Sequence, residues 1–266
     1  MLPLLLAISY IEWLGSLTII GTLGIGAYQD LKRREIDDWV WFLCIPAAVA
    51  NAYGIYSGLF PYGARLWGAE LGLLAAMGLA FYYLGLFGGA DAKAMLAVGL
   101  ALPFQAFPFH SQIPFFGLTV FDNGVVAAII WSILFGVWNI SRWARNRSYF
   151  GRYSSSSIGT KLGLVASAYR ATVGYYLARS DRLFPAESIS VDGQGIVSYA
   201  PTFRPTIEFE AEDSIKKLRE EGKIRDTDEL WVSPGLPLVT FMFAGLAFSA
   251  LFGDSVFHIV SIIFRL

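Results

Sequence analysis

Four acidic residues lie in or at the edges of long apolar stretches: Glu12, Asp30, Glu70 and Asp91. Burying a carboxylate in lipid is costly unless a partner or a function retains it, so such residues mark candidate sites. Asp30 and Asp91 each end an apolar stretch, with two membrane crossings between them, which puts both at one membrane face. Glu12 and Glu70 precede them by about 27 and 31 Å of helix and belong near the opposite face.

Asp30 and Asp91 are therefore the carboxylates that can act together. Two carboxylates held close together share one proton, because a second negative charge beside the first is costly. The ionised member can take a proton from water, which attacks a carbonyl carbon, while the protonated member stabilises the oxyanion and then protonates the leaving amine. This is the chemistry of an aspartic protease. It needs no metal or cofactor, and we predict none.

Each aspartate also has a simpler interpretation. Gly88 and Gly89 could end one helix while Asp91 caps the next. Asp30 could be a charge at the level of the lipid headgroups, beside Lys32. The same two glycines would also let a substrate backbone approach Asp91 closely.

The composition calls for an apolar environment. Of the 266 residues, 55% are hydrophobic and 15% are charged, whereas a soluble domain has about 25% charged residues. A net charge of −1 gives no reason to expect a nucleic-acid partner. Cys44 is the single cysteine, which excludes an internal disulfide and a cysteine-rich zinc site.

Six stretches reach or approach the roughly 20 apolar residues that a helix needs to cross a bilayer. They are residues 3–28, 39–60, 67–87, 92–107, 124–140 and 236–252. The fourth is short and contains Pro103, and we expect it to be tilted or completed by residues 109–120. The fold class predicted is an α-helical integral membrane protein with six transmembrane helices and a small α+β cytoplasmic domain between the fifth and sixth.

The distribution of Lys and Arg predicts the orientation. Residues 141–230 hold 14 of the 20 basic residues, and the short loops after the first and third stretches hold most of the others. Basic loops stay in the cytoplasm, so we expect a multi-pass protein of the cell membrane, in contact with lipid, with its N-terminus outside. The predicted domains are the membrane domain 1–140, the cytoplasmic domain 141–230, and the sixth span with a tail, 231–266.

Within residues 141–230 three elements are predicted. Partial alternation over 189–207, with turn-forming Asp-Gly and Gln-Gly pairs, predicts a β-hairpin. Opposite charges at helical spacing predict a solvated helix over 211–221. Residues 162–178 are apolar around Arg170, and we expect a helix on the membrane surface or packed in the soluble part.

Three segments resemble one known family. Gly88-Gly89-Ala90-Asp91 matches the Gly-x-hydrophobic-Asp signature of the type IV prepilin peptidases. Residues 29–38, QDLKRREIDD, are similar to the segment around the first catalytic aspartate in the archaeal branch of that family, the preflagellin (prearchaellin) peptidases. Residues 230–235, LWVSPG, opening the sixth predicted span, are also similar to that branch.

The resemblance implies a membrane aspartic endopeptidase that removes a short basic leader from archaellin or type IV pilin-like precursors at the cytoplasmic face. Asp30 and Asp91 map onto the two catalytic aspartates, and Gly88, Gly89 and Ala90 form the supporting motif. Many bacterial relatives carry a four-cysteine metal-binding loop and methylate the new N-terminus. With Cys44 alone that loop is missing, and we do not predict the methylation.

Three further acidic residues, Glu35, Asp37 and Asp38, follow the first aspartate. Their charge could attract a basic leader, or it could simply balance the neighbouring basic residues. Two other functions use the same chain differently. A proton-coupled transporter would use Asp30 and Asp91 as relay groups, although it should place them near the bilayer midplane in repeated halves. A scaffold that binds through residues 141–230 would tolerate replacement of both aspartates.

Overall fold

The computed structural model is mostly helical, with a small sheet region toward the C-terminus. It describes residues 2–60, 63–85, 87–102, 109, 111–146, 148–192, 197–202, 208–235 and 237–264, the side chains of 2–5 and 208–211 excepted.

The helices within the described residues have the following bounds: α1 Leu2–Arg33, α2 Trp39–Phe42, α3 Ile45–Tyr56, α4 Gly63–Tyr83, α5 Gly89–Ala101, α6 Phe116–Arg145, α7 Ile158–Ser167, α8 Val173–Leu177, α9 Glu208–Glu220, α10 Leu238–Phe252 and α11 Ser255–Phe264. The strands are β1 Tyr169–Thr172, β2 Phe184–Pro185, β3 Glu187–Val191, β4 Val197–Pro201 and β5 Glu229–Ser233.

In the described part of the chain, four helical segments are long and apolar enough to cross a membrane. They are Leu6–Arg33, Trp39–Tyr56, Gly63–Tyr83 and Phe116–Arg145. Helices α10 and α11, bent by 59° at their junction, would make a fifth if they form one span. Length and apolarity therefore support a multi-pass protein with four to five candidate spans, fewer than the six expected.

The difference arises around the fourth predicted span. Helix α5 has only 13 residues, about 20 Å of helix, and residues 103–108 lie outside the described part. Residues 116–120, expected to complete this span, instead form the first turn of α6. That start is fixed by Glu70 of α4, which is fully buried and whose Oε1 accepts the Gly117 N–H at 2.6 Å, one of the donors that a helix start leaves without a partner.

Helix α6 is also longer than the predicted fifth span, 124–140. It runs for 30 residues and passes through Asp122 and Asn123 without a break. Asn123 is buried and has partners at the α10–α11 junction: its Nδ2 donates to Gly253 O at 2.8 Å and its Oδ1 accepts the Ser255 N–H at 2.9 Å. A polar residue with satisfied hydrogen bonds is tolerated inside an apolar helix.

Two compact units divide the chain: residues 1–128 with 237–266, and residues 129–236. In the first, α1 packs against α3, α5 and α10, and α4 packs against α5. In the second, β5 lies between β1 and β2 in an antiparallel sheet, and β3 pairs with β4. The boundaries predicted at 140/141 and 230/231 concern exposure to the cytoplasm and stay a prediction.

The second unit confirms two predicted elements. The hairpin is β3–β4, in the register Glu187↔Pro201 to Val191↔Val197, although residues 193–196 of its turn lie outside the described part. The solvated helix is α9, where Lys216 pairs with Glu212 at 2.6 Å.

The prediction of one helix over 162–178 is wrong. Helix α7 ends at Ser167, and the chain continues as β1 and then α8. Buried Asn139 ends α7, because its Nδ2 donates to Val165 O at 2.7 Å and Ala168 O at 2.9 Å, carbonyls that a longer helix would have used. Arg170 lies in β1, where it pairs with Glu229 of β5. The motif segment 230–235 is likewise mostly strand β5, and α10 begins only at Leu238.

Glu187 is a buried carboxylate in the second unit. Its Oε2 accepts the Tyr153 hydroxyl at 2.6 Å and its Oε1 accepts the Trp231 N–H at 3.0 Å, while the guanidinium of Arg152 lies 3.8 Å away. Burial raises the pKa of Glu187 despite these favourable partners. Stabilisation from this group is therefore complete below the ordinary pKa of glutamate and is lost as the pH rises through the raised value.

We expect Glu187→Gln to remove this pH dependence, because the amide keeps an acceptor oxygen and does not titrate. Between pH 4 and 8 the free energy of unfolding of the wild type should fall relative to that of Glu187→Gln, as measured by thermal unfolding of the full chain in detergent. Glu187→Leu should be less stable by about 1–3 kcal/mol at every pH, because it leaves two buried donors without an acceptor. Parallel pH curves for wild type and Glu187→Gln would contradict the assignment.

Candidate functional site

Asp30 lies in the last turn of α1, with 9% of its surface exposed. Its Oδ2 accepts two hydrogen bonds from Thr240 in the first turn of α10, one from the backbone N–H and one from the hydroxyl, both at 3.3 Å. The same hydroxyl lies 3.3 Å from Ala27 O. Asp30 is thus held by a helix that follows it by more than 200 residues in sequence.

Glycine permits this approach of α10 to α1. A Cβ at Gly26 would lie 3.2 Å from a methyl group of Val239, tighter than ordinary van der Waals contact, and one at Gly24 would meet the ring of Phe243 at 3.6 Å. Val239 is buried beside Thr240. The small residues of α1 therefore set the distance at which Thr240 reaches Asp30.

Arg34 is the first residue after α1 and faces Asp30. Its Nη1 lies 3.7 Å from Asp30 Oδ1, and both are largely buried, with 17% of the Arg34 side chain and 12% of the Asp30 side chain, counted without its backbone, exposed. The Arg34 backbone N–H bonds to Asp30 O at 3.2 Å. Its φ is +58°, in the left-handed region that normally takes glycine at a helix end.

Asp91 lies in the first turn of α5, and the interpretation that it helps to cap this helix is confirmed in part. Its Oδ2 accepts the Gly88 N–H at 2.9 Å, and its own N–H donates to Gly88 O at 3.1 Å. Gly88, not Asp91, is the N-cap residue. A Cβ at Gly89 would meet nothing within 4 Å, and Ala90 packs against the core of the first unit, so the space beside Gly89, two residues before Asp91, is open.

The structure brings Asp30 and Asp91 together. Helices α1 and α5 pack against each other, and the charges of Asp30 and Arg34 both act on Asp91. Glu70, in contrast, contacts the start of α6 and the region of Gly99 near the end of α5. Of the four acids noted in the sequence, Asp30 and Asp91 are thus two that lie on packed helices and act on each other electrostatically.

Asp37 holds the loop after α1 in place. Gln29 and Asp37 form two mutual hydrogen bonds, from Gln29 Nε2 to Asp37 Oδ2 at 3.0 Å and from the Asp37 N–H to Gln29 Oε1 at 2.9 Å. The Trp39 indole and the Arg33 guanidinium also donate to Asp37, and the bond from Arg33 holds the pKa of Asp37 below its usual value. Its partners make Asp37 a structural acceptor.

The other two acidic residues of this loop differ from each other. Asp38 pairs with Lys93, at 2.6 Å, and so ties the loop to α5 two residues after Asp91. Glu35 is exposed and has no ion pair among the residues that the structure describes. Among the described residues, Glu35 is therefore the member of this acidic cluster whose charge no basic side chain balances.

Sequence reasoning missed Thr240 and Gln29 and treated Arg34 only as a basic loop residue. A signal for Thr240 was present, since a hydroxyl in the apolar stretch 236–252 needs a partner. The pairing of Gln29 with Asp37 depends on the reversal of the chain after α1, which no local pattern specified. In the described residues no group of three His, Cys, Asp or Glu side chains is placed to hold a metal ion.

Two family models match the chain, and together they include both aspartates and most of the second unit. The model "Type IV leader peptidase family" matches residues 17–140, and "Archaeal Peptidase A24 C-terminus Type II" matches residues 160–255. The chain belongs to the type IV leader peptidase family. It is a peptidase, as the resemblance of its three segments had implied.

Similar proteins cover nearly the whole chain. A preflagellin peptidase of Methanococcus voltae is 24% identical over 255 residues, covering 91% of this chain and 97% of the relative. A preflagellin peptidase of Methanocaldococcus jannaschii is 22% identical and covers 93% and 98%. One of Methanococcus maripaludis is 21% identical and covers 90% and 95%.

The hydrogen bond between Gly88 and Asp91 predicts how two substitutions differ in stability. Asp91→Asn keeps an oxygen that accepts the Gly88 N–H, so its thermal unfolding in detergent should match that of the wild type. Asp91→Ala loses the acceptor and should be less stable by about 1 kcal/mol. Equal stability of both variants would show that the bond contributes nothing to the fold.

Proposed function

We propose that this peptidase is an aspartic endopeptidase that uses Asp30 and Asp91 to cleave the leader peptide of archaellin or type IV pilin-like precursors. The observation that carries the proposal is the convergence of the two carboxylates, each fixed by backbone donors at a helix end. The preflagellin substrates named for its relatives support the substrate class.

The mechanism follows from the shared proton. A carboxylate takes a proton from a water molecule held between the two aspartates, and the water oxygen attacks the scissile carbonyl carbon. The protonated partner donates a hydrogen bond to the oxyanion as it forms and then transfers its proton to the leaving amine. Hydrolysis needs no group beyond the two carboxyls and water, so the proposal includes no metal and no cofactor.

The membrane arrangement is also a proposal. With the N-terminus outside, α1 ends in the cytoplasm, which puts Asp30 and Asp91 at the face where a basic leader is found. Six spans result if α5 crosses as a short fourth span and α10 as the sixth. The basic residues of 141–230 support a cytoplasmic location for that segment.

Precursor cleavage by the wild type, Asp30→Asn and Asp91→Asn tests the site. Asparagine keeps the shape and an acceptor oxygen but cannot exchange the proton, so both variants should fold and cleave about 10²–10⁴-fold more slowly. Cleavage of a leader-bearing archaellin or pilin would be followed by gel mobility and mass spectrometry of the new N-terminus, in detergent and in membranes.

Glu12→Gln is the matched control, because it removes a carboxylate from the same helix at the far end and should cut at the wild-type rate. Retained cleavage by both asparagine variants would make Asp30 and Asp91 structural. No cleavage by any form, with the proteins folded, would favour the transporter or scaffold functions instead.

Glu35 is the residue we propose for recognition of the basic leader. Asp37 and Asp38 are already paired with Arg33 and Lys93, so their charges are balanced within the protein, as the second interpretation of this cluster held. Glu35 is exposed and lies in the same loop, one residue beyond Arg34, which contacts Asp30 of the Asp30–Asp91 pair, called the dyad below. A leader Lys or Arg can therefore approach it at little desolvation cost.

We expect Glu35→Gln to raise KM about 3- to 5-fold with little change in kcat, because an exposed ion pair contributes up to about 1 kcal/mol. The same change should vanish with a precursor whose leader Lys and Arg residues are replaced by Gln. An equal rise in KM for both precursors would mean that Glu35 acts on the fold of the loop and not on the leader.

A further inference from the structure

Arg34 has a left-handed backbone conformation, which is strained for a residue that carries a side chain. Every other positive φ among the described residues belongs to a glycine, and glycine would end α1 at this point without strain. A long charged side chain is instead kept there, largely buried against Asp30. Backbone strain of this kind persists where the side chain has a function that glycine cannot provide.

The function of the Arg34 side chain concerns the charge on Asp30. The end of a helix carries partial negative charge, so the C-terminus of α1 disfavours a carboxylate in its last turn. The helices packed against α1 do little to offset this partial negative charge. Helices α2, α3 and α10 contain no charged residue and no histidine. Helix α5 contributes Asp91 and Lys93, and Lys93 is paired with Asp38. Arg34 is the cation placed directly on Asp30.

The two members of the dyad therefore differ. Asp30 has two donors from Thr240 and a guanidinium, while Asp91 has the single Gly88 donor and the favourable start of α5. A full positive charge 3.7 Å from the carboxylate, together with two hydrogen bonds, outweighs the partial charge of a helix end, because a nearby opposite charge favours the ionised form.

We propose that Arg34 is a positioning residue that holds Asp30 as the ionised, proton-accepting member of the dyad, leaving Asp91 as the proton donor. The proposal rests on the proposed function. It assigns separate roles to two carboxylates that the mechanism above left interchangeable, and it places the assignment in a residue outside the two aspartates.

The test compares Arg34→Gly, Arg34→Asn and Arg34→Lys with the wild type. Glycine and asparagine tolerate the left-handed backbone, so both should unfold at or above the wild-type temperature and yet lose kcat at least about 10-fold, with KM within 2-fold. The acidic limb of their pH–activity profile should move to higher pH, since a carboxylate without its cation ionises less readily. Arg34→Lys should restore part of kcat and move the limb back.

Lys32→Gln is the control, because it removes a cation from the same short segment. The Lys32 ammonium contacts the Tyr28 hydroxyl, so this change should leave kcat and the pH–activity profile unchanged. Unchanged kcat in Arg34→Gly, a loss equal to that of Lys32→Gln, or a rise confined to KM would each overturn the proposal. Asp30→Asn is assayed alongside: if it cleaves normally the proposed function itself fails, whereas an inactive Asp30→Asn with a fully active Arg34→Gly refutes only the role of Arg34.

Discussion

A carboxylate inside an apolar helix bundle is stable only where donors reach it, and the first unit is organised by this constraint. Asp30 joins α1 to α10, Glu70 joins α4 to the start of α6, and Asp254 accepts hydrogen bonds from Thr119 of α6 and from the first turn of α11. Each bond gives a buried acid a donor and fixes two elements against each other. Replacing one of these three acids with a residue that cannot accept a hydrogen bond therefore changes helix packing as well as charge.

Asp30 and Asp91 show how one contact can serve both the fold and the chemistry. The Gly88 N–H that Asp91 accepts also fixes the start of α5, and Thr240 fixes α10 on α1 while it orients Asp30. A structural role for an aspartate is thus no argument against a catalytic one. What separates the roles is the proton, which an asparagine cannot exchange although it keeps the hydrogen bond.

The sequence predicted what depends on local pattern. Long apolar runs identified the helices, alternation identified the β3–β4 hairpin, and parity of crossings with the Gly-Gly-Ala-Asp motif identified the two aspartates that the structure brings together. It did not predict where α7 ends or that β1 follows, because Asn139 ends that helix through carbonyls 26 and 29 residues away. It likewise missed Thr240, whose contact with Asp30 spans 210 residues.

The loop after α1 holds four charged side chains in one short segment. Arg34 faces the dyad, Glu35 faces outward, Asp37 is held by Gln29, and Asp38 reaches α5. Under the roles proposed for Arg34 and Glu35, the residue that meets the leader directly follows the residue that contacts Asp30, so a change in the backbone of this loop affects both. Substitutions that alter the backbone of this loop are therefore expected to change kcat and KM together. Only substitutions that preserve the backbone, such as Arg34→Gly, can separate the two effects.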